Sequence, residues 1–271
     1  MSNTKETLVM KYGGNAMKDA IIRGLVLDNI AEIHAAGHKV VLVHGGGPYI
    51  SKLLDSQQID SEFVAGHRKT STEAIRYIEM ALTGEVNPEI VRGLQSRGVN
   101  AVGLSGKDGE MILAKKKYHP QGDEKIDIGW VGNVAEVNPD LIQTLTGSDY
   151  LPVITCMASD ADGNAYNING DMVAGHIAGA LQADRYIVMT DIDGLLNDIN
   201  DPQSLISALT LREVSAMMGT VISGGMIPKI ESCLIAIEKG AAEARIINGT
   251  KPDLLVELME GNRQIGTKIS K

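Results

Sequence analysis

Apolar residues in this chain come in short β-branched runs and in helical stripes, and the two alternate. Leu8-Val9-Met10 opens a strand that runs through Lys11-Tyr12 into Gly13-Gly14. Lys39-Val40-Val41-Leu42-Val43 is a second strand, and it stops abruptly at His44-Gly45-Gly46-Gly47-Pro48. Between them Ile22, Val26, Ile30 and Ile33 recur at helical spacing, with Gly37 as the stop. Ile50, Leu53 and Leu54 mark the helix that follows. Strand, glycine turn and helix thus occur twice in succession, which predicts right-handed βαβ units on a parallel sheet.

The pattern continues with variations. Thr70 and Glu73 stand at the spacing of a capping box, opening a helix with Ile75, Ile78 and Leu82 on one face. A further helix is expected over about 88–97, ending at Gly98, then a strand over 101–104 and the loop Ser105-Gly106-Lys107-Asp108-Gly109. From Ile112 to Val137 short alternating segments replace the βα rhythm and predict antiparallel hairpins, with Lys115-Lys116-Lys117 as a solvated edge. A helix at 139–145, a buried strand at 151–155, a turn and short strand through Asp171, a helix at 172–181 and a strand at 185–190 follow. Ser223-Gly224-Gly225-Met226-Ile227-Pro228-Lys229 opens another helix, and 244–247, 252–259 and 266–269 read as strand, helix and a last edge strand. The expected fold is α/β, two lobes on one continuous, mostly parallel sheet, with a boundary near Asp171.

With 271 residues the chain can bury a substantial core without a disulfide or a structural metal. Its two cysteines, Cys156 and Cys233, form no framework, and residues 1–7 lack the apolar stretch of a signal peptide. No apolar run approaches the roughly 20 residues of a membrane span. A net charge of −9 and very few aromatic residues disfavour nucleic acid as a partner. The expected setting is the cytoplasm, with no membrane and no nucleic-acid partner.

Candidate chemistry is concentrated in glycine turns and lysines. Neither a Walker A pattern, nor a strand–GxGxxG–helix fingerprint, nor a protein-kinase signature is present. His44, His67, His119 and His176 lack metal-ligand spacing and read as packed or solvated residues, and neither cysteine is flanked as a nucleophile would be. The triple glycine offers close backbone approach and free N–H groups ahead of a helix, which suits an anion; a plain tight turn would use the same residues. Lys11 closes a strand just before Gly13-Gly14, and Lys229 follows Gly224-Gly225 at a helix start. Each alone could be a surface lysine. Two such lysines with two glycine loops, all at element ends, suggest a polyphosphate held by amides and point charges.

The set Lys11-Tyr12-Gly13-Gly14-Asn15-Ala16-Met17, Val43-His44-Gly45-Gly46-Gly47-Pro48, Gly66-His67-Arg68, Ser105-Gly106-Lys107-Asp108-Gly109, Tyr166-Asn167-Ile168-Asn169-Gly170-Asp171 and Ser223-Gly224-Gly225-Met226-Ile227-Pro228-Lys229 resembles the amino acid kinase (carbamate kinase-like) family over nearly the whole chain. The resemblance is strongest to the branch that phosphorylates N-acetyl-L-glutamate in arginine biosynthesis, with His67 and Lys69 where apolar residues are usual. It implies a three-layer αβα sandwich around a mostly parallel central sheet, with ATP and Mg²⁺ bound by the C-terminal lobe, 171–271, and the acyl amino acid by the N-terminal lobe, 1–170. It implies that Lys11 and Lys229 stabilise the phosphoryl group in flight, with Asp171 holding both ammonium groups. Gly13, Gly14 and Gly45 would line the phosphates, and Gly46, Gly47, Arg68, Asn167 and Asn169 the acceptor. Asp191, Ile192, Asp193, Gly194, Leu195, Leu196, Val221, Ile222 and Ser223 would line the nucleotide. Two other readings compete: a kinase for carrier-protein-linked aminoadipate or glutamate, and a non-catalytic nucleotide sensor. The short stretch ahead of the first strand leads to the expectation of a homodimer, paired through the N-terminal lobe and without arginine feedback.

Overall fold

Alternate side chains of the strand Thr7–Tyr12 face opposite ways, and the rest of the molecule is layered on that alternation. In the computed structural model, which describes residues 5–17, 19–64, 66–122, 124–198, 200–262 and 264–271, this strand is central in an eight-stranded sheet. The polar residues 1–4 lie outside the described residues. Leu8, Met10 and Tyr12 turn to one face, where the helices Ala20–Ala35, Asn87–Gln95 and Asp253–Met259 cover them with Ile30, Ile33, Ile90, Leu94 and Leu255. Val9 turns to the other face, under the helices Gly170–Ala180 and Ile227–Glu238, with Val173, Ile177, Ile230 and Ile237. The three-layer αβα sandwich implied by the resemblance is the observed fold.

Strand order is Ala208–Thr210, Thr267–Ser270, Glu243–Asn248, Arg185–Thr190, Thr7–Tyr12, Lys39–His44, Leu151–Thr155, Ala101–Ser105. Neighbours are parallel except for Glu243–Asn248 against Thr267–Ser270. Because Tyr12, His44, Thr155, Thr190 and Asn248 close parallel, adjacent strands, the loops after them share one edge of the sheet, where open α/β folds bind ligands. The stretch after Ile112 forms a long antiparallel hairpin, Ile112–Gln121 with Glu124–Val137, which closes into a small barrel with Met157–Ser159 and Ala165–Ile168.

Several expectations need correcting. Thr70 does not cap a helix: its backbone N–H donates to Ile128 and its carbonyl accepts from Trp130, so it is held in a bridge opposite Gly129. Ser71 receives the Ala74 N–H instead, at 3.1 Å. A reciprocal capping box does occur at Thr210 and Glu213, ahead of the helix Leu211–Met217, which the apolar pattern did not single out. The helix expected from about residue 88 is the last part of a longer one, Ala74–Glu79 continuing through a π-helical turn, Met80–Val86, into Asn87–Gln95. The last strand is not at the sheet edge, because Ala208–Thr210 pairs outside it. Of the lysine run, Lys115 is exposed, whereas Lys116 reaches back to Asp127 at 2.6 Å and Lys117 is half-buried.

The two helices over the Val9 face cross closely because small residues line the contact. A Cβ on Gly175 would lie 2.4 Å from the Ser232 carbonyl oxygen, and one on Gly179 would lie 2.4 Å from the Lys239 side chain. The nearest atom at Gly175 is backbone, so the helices themselves would have to separate. Gly175→Ala is expected to destabilise the fold by about 1–3 kcal/mol, the range for overpacking a closed contact. Urea denaturation reads this directly, and an unchanged midpoint would count against the close crossing.

Candidate active site

Lys11 follows Val9 by two positions, so its side chain leaves the sheet on the face covered by the helix Gly170–Ala180. That helix starts just ahead of it, because Asn169 caps it: its side-chain oxygen accepts the Asp171 N–H at 2.8 Å and the Met172 N–H at 3.4 Å. The cap places Asp171 in the first turn, 4% exposed, facing the end of the strand. Lys11 Nζ lies 3.0 Å from Asp171 Oδ1, and Lys229 Nζ donates to Asp171 Oδ2 at 3.1 Å. Lys229 comes from the adjacent helix, Ile227–Glu238, so one buried carboxylate carries an ammonium group on each oxygen. Burial raises its pKa, but the two ammonium groups and their hydrogen bonds outweigh this and hold it below the ordinary carboxylate value.

The glycine turns converge on this triad. A Cβ on Gly13 would lie 3.1 Å from Lys11 Nζ and 3.7 Å from Gly45 N. One on Gly170 would meet Gly45 and Lys11 Cε at 3.7–3.8 Å, so a methyl group would be accommodated there. Gly14 adopts φ +70°, a conformation costly for any side chain. Gly45 donates its own N–H to Tyr12 O at 3.2 Å, so its amide is not free for a ligand. Gly46 precedes the helix Gly47–Ser56, whose exposed first residue faces the same edge.

Arg68, from the short strand His67–Arg68, is 8% exposed and points back to the start of that helix. It donates to the Ser51 hydroxyl at 2.9 Å, to the Gly47 carbonyl at 3.4 Å and to Ser61, and its guanidinium stacks 4.6 Å from the Phe63 ring centroid. Asn167, in the strand Ala165–Ile168, makes no side-chain hydrogen bond among the described residues. The oxygen of Asn169 is committed to the helix cap, which leaves its amide nitrogen as the group available to a ligand.

Of the nine residues expected around a nucleotide, two turn inward. Leu195 is 3% exposed and Ile222 0% exposed, so their side chains belong to the core rather than to a ligand surface. Leu195 N–H donates to Thr267 Oγ1 at 2.7 Å, and Gly194, at φ +150°, packs against the same threonine. Asp193 accepts from Asn248 Nδ2 at 2.7 Å and from Lys251 Nζ at 2.7 and 2.9 Å. Asp191, Ile192 and Ser223 are exposed, and Leu196 and Val221 are half-buried.

Two residues that sequence reasoning passed over support the triad from below. Tyr186, fully buried, donates to the Asp171 carbonyl at 3.1 Å and lies 3.1 Å from Ser232 Oγ. Ser232 donates to the Lys229 carbonyl at 2.7 Å. One tyrosine thus ties together the helix turns that present Asp171 and Lys229. A lone tyrosine inside an apolar strand was the available signal, since a buried hydroxyl needs a partner. Cys156 lies beneath the same cluster, and burial pushes its thiol up to about 11, which removes it as a nucleophile at neutral pH.

The sequence profile of the amino acid kinase family matches residues 6–248, and the chain belongs to that family. It is 41% identical to an acetylglutamate kinase of Methanococcus aeolicus, over 98% of this chain and 92% of that protein. It is 43% identical to an acetylglutamate kinase of Methanocaldococcus jannaschii, over 97% and 90% respectively. The carbamate kinase of Giardia lamblia bound to AMP-PNP has the same fold, with a TM-score of 0.71 over 98% of this chain and 99% of that one, at 19% identity.

Three histidines give the fold a pH dependence. Burial is the largest cause in lowering His44, His67 and His176 to about 4; Lys117 and His119 add to it at His67, and Lys239 and Lys115 at His176. Between the ordinary value of about 6.5 and about 4 the unfolded chain binds more protons than the folded one, so stability falls as pH drops through that window. The depressed Asp171 carboxyl titrates below this range. Urea midpoints should decrease from neutral pH to about pH 5, and equal midpoints would contradict the buried, neutral imidazoles.

Proposed function

We propose that this kinase transfers the γ-phosphoryl group of ATP to the side-chain carboxylate of N-acetyl-L-glutamate, giving N-acetyl-L-glutamyl 5-phosphate and ADP, a step of arginine biosynthesis. The observation that carries the reading is the Lys11–Asp171–Lys229 triad, with both carboxylate oxygens paired and Gly13, Gly45 and Gly170 gathered beside it. Acetylglutamate kinases at 41–43% identity over nearly the full chain support the choice of acceptor.

The chemistry suits these groups. The acceptor carboxylate, with a pKa of about 4.3, is already an ionised nucleophile at neutral pH, so no general base is needed. The difficulty is bringing an anion to a polyanion in line. Lys11 and Lys229 reach the triad from different elements and would flank the phosphoryl group, while Asp171 holds both ammonium groups in place. Gly13, Gly14, Gly46 and Gly47 would contribute amide donors, with the start of the helix Gly47–Ser56 adding a favourable dipole. Arg68 would clamp the acceptor's other carboxylate, and Asn167 would bind its amide, in the lobe formed by residues 1–170. The nucleotide would lie in the lobe formed by 171–271, against Asp191–Asp193, Val221 and Ser223. Both oxygens of Asp171 are taken by ammonium groups, so a Mg²⁺ accompanying ATP would rely on phosphate and water oxygens, where it would neutralise phosphate charge. A cytoplasmic homodimer belongs to the same reading, and light scattering reports the oligomeric state.

A coupled assay of ADP release tests the acceptor: turnover is expected with free N-acetyl-L-glutamate, and its absence would defeat the assignment. Lys11→Ala and Lys229→Ala should each lower kcat by ~10²–10³, the scale of one transition-state donor, with modest change in KM for ATP. An unchanged kcat in either variant would remove that lysine from the mechanism. Arg68→Lys should raise KM for the acceptor far more than KM for ATP, because the bidentate fork is lost. Equal effects on the two would place Arg68 elsewhere.

A further inference from the structure

The triple-glycine loop is braced from behind by side chains that make no contact with the triad. His44, 0% exposed, closes the strand Lys39–His44 immediately before Gly45. Its Nδ1 lies 2.8 Å from the Gly45 carbonyl oxygen, which can only accept, so Nδ1 carries the proton. Nε2 must then accept, and it lies 3.0 Å from Asn87 Nδ2. The second N–H of the Asn87 amide donates to Val153 O at 2.8 Å. Every hydrogen of this chain is thereby assigned, and the imidazole is neutral and fixed in one tautomer.

Asn87 owes its place to the helix that carries it. The π-helical turn Met80–Val86 ends just before it, and such turns are frequent at functional sites. Leu82 and Val86 from that turn approach so closely that a Cβ on Gly46 would lie 2.7 Å from Leu82 Cδ2 and 3.2 Å from Val86 Cγ2. Gly103 gives the Asn87 amide its space, since a Cβ there would lie 2.1 Å from Asn87 Oδ1. Two residues further on, Glu89 joins a closed cycle of side chains. Arg23 pairs with it at 2.8 Å, Tyr49 donates to it at 3.2 Å, and Arg23 donates to Tyr49 Oη at 3.1 Å and to the Met17 carbonyl at 3.2 Å. One helix therefore holds the loop through Asn87, its following helix through Glu89 and Tyr49, and the turn after the first strand through Arg23.

We propose that His44 and Asn87 are positioning residues, which orient the Gly45 peptide and thereby aim the amide groups of the triple-glycine loop at the phosphoryl group. The inference rests on the proposed role of Gly46 and Gly47 as amide donors to the transferred phosphoryl group. It assigns work to a histidine whose sequence context marked it only as packed or solvated. The Nδ1–H to Gly45 carbonyl bond is the one that sets the peptide plane, and the Asn87 bond sets the tautomer that makes it possible.

Two isopolar variants separate the bonds. In His44→Asn the side-chain amide can replace Nδ1–H toward Gly45 while losing Asn87; in His44→Gln the longer side chain can reach Asn87 while leaving Gly45 O without its donor. His44→Asn should keep kcat within about threefold of wild type, and His44→Gln should lower it by ~10-fold or more with KM for ATP unchanged, as misplaced donors cost rate rather than ground-state affinity. Equal kcat values in the two variants, or losses that merely follow their melting temperatures, would overturn the proposal by reducing His44 to packing. A second readout does not depend on turnover: ¹⁵N imidazole spectra of the wild-type protein should show His44 protonated at Nδ1. The Gly46 and Gly47 amide resonances should then move in His44→Gln and stay near wild type in His44→Asn. A proton on Nε2, or unmoved glycine resonances, would reject the positioning role. Failure of N-acetyl-L-glutamate to turn over would reject the acceptor and leave these spectra to decide the loop.

Discussion

The structure depends on one buried carboxylate between two ammonium groups. Asp171 without Lys11 and Lys229 would be an unpaired charge in a low-dielectric interior, and either lysine without Asp171 would lose its fixed position. The three come from a strand end and the first turns of two adjacent helices, so forming the cluster requires the sheet and the overlying layer together. The close helix crossing at Gly175, the Tyr186 hydroxyl and the Asn169 cap all set where those first turns lie. A net positive cluster surrounded by glycine amides is a poor way to stabilise a fold and a good way to receive a transferring phosphoryl group.

That cluster sits at the edge where parallel strands end, and the same edge gathers the glycine turns that follow the strands Thr7–Tyr12 and Lys39–His44. The reason is geometric: parallel strands joined by helices return to the same side each time, so their C-terminal loops are neighbours however far apart they are in the chain. Arg68 reaches this edge from the short strand His67–Arg68, which lies outside the parallel sheet, and donates to the Gly47 carbonyl there. The clamp proposed for an acceptor thus comes from the antiparallel part, and the paired lysines from the αβα sandwich.

The loops themselves carry few side chains, so their shape must be imposed from elsewhere. Leu82 and Val86 press against Gly46, His44 holds the Gly45 carbonyl, and Asn248 and Lys251 hold Asp193 across the sheet. These supports belong to ordinary apolar or polar positions in their own elements. Apart from the exposed Lys251, their common property is burial beside a loop that needs a single conformation.

Much of this was legible from residues alone. The continuous apolar runs at Leu8–Met10 and Val40–Val43, the helical stripe ending at Gly37 and the glycine turns determined the α/β class with its parallel sheet, because a buried parallel strand and an amphipathic helix each write a local pattern. The motif set likewise determined which lysines and which aspartate to examine. What the chain could not announce was any feature defined by a partner distant in sequence. Thr70 looks like a helix cap, but its backbone is committed to the barrel strand opposite it; the true box at Thr210 looks no different. Leu195 and Ile222 sit in loop-like stretches yet face the core. Gly45 was read as a donor to phosphate, but its N–H closes onto Tyr12. Tyr186, Asn87 and the tautomer of His44 became meaningful only when folding brought a carbonyl or an amide within hydrogen-bond reach. Local periodicity specifies elements; the pairing of buried polar groups is decided by tertiary structure, since each donor is satisfied by whatever acceptor the fold places beside it.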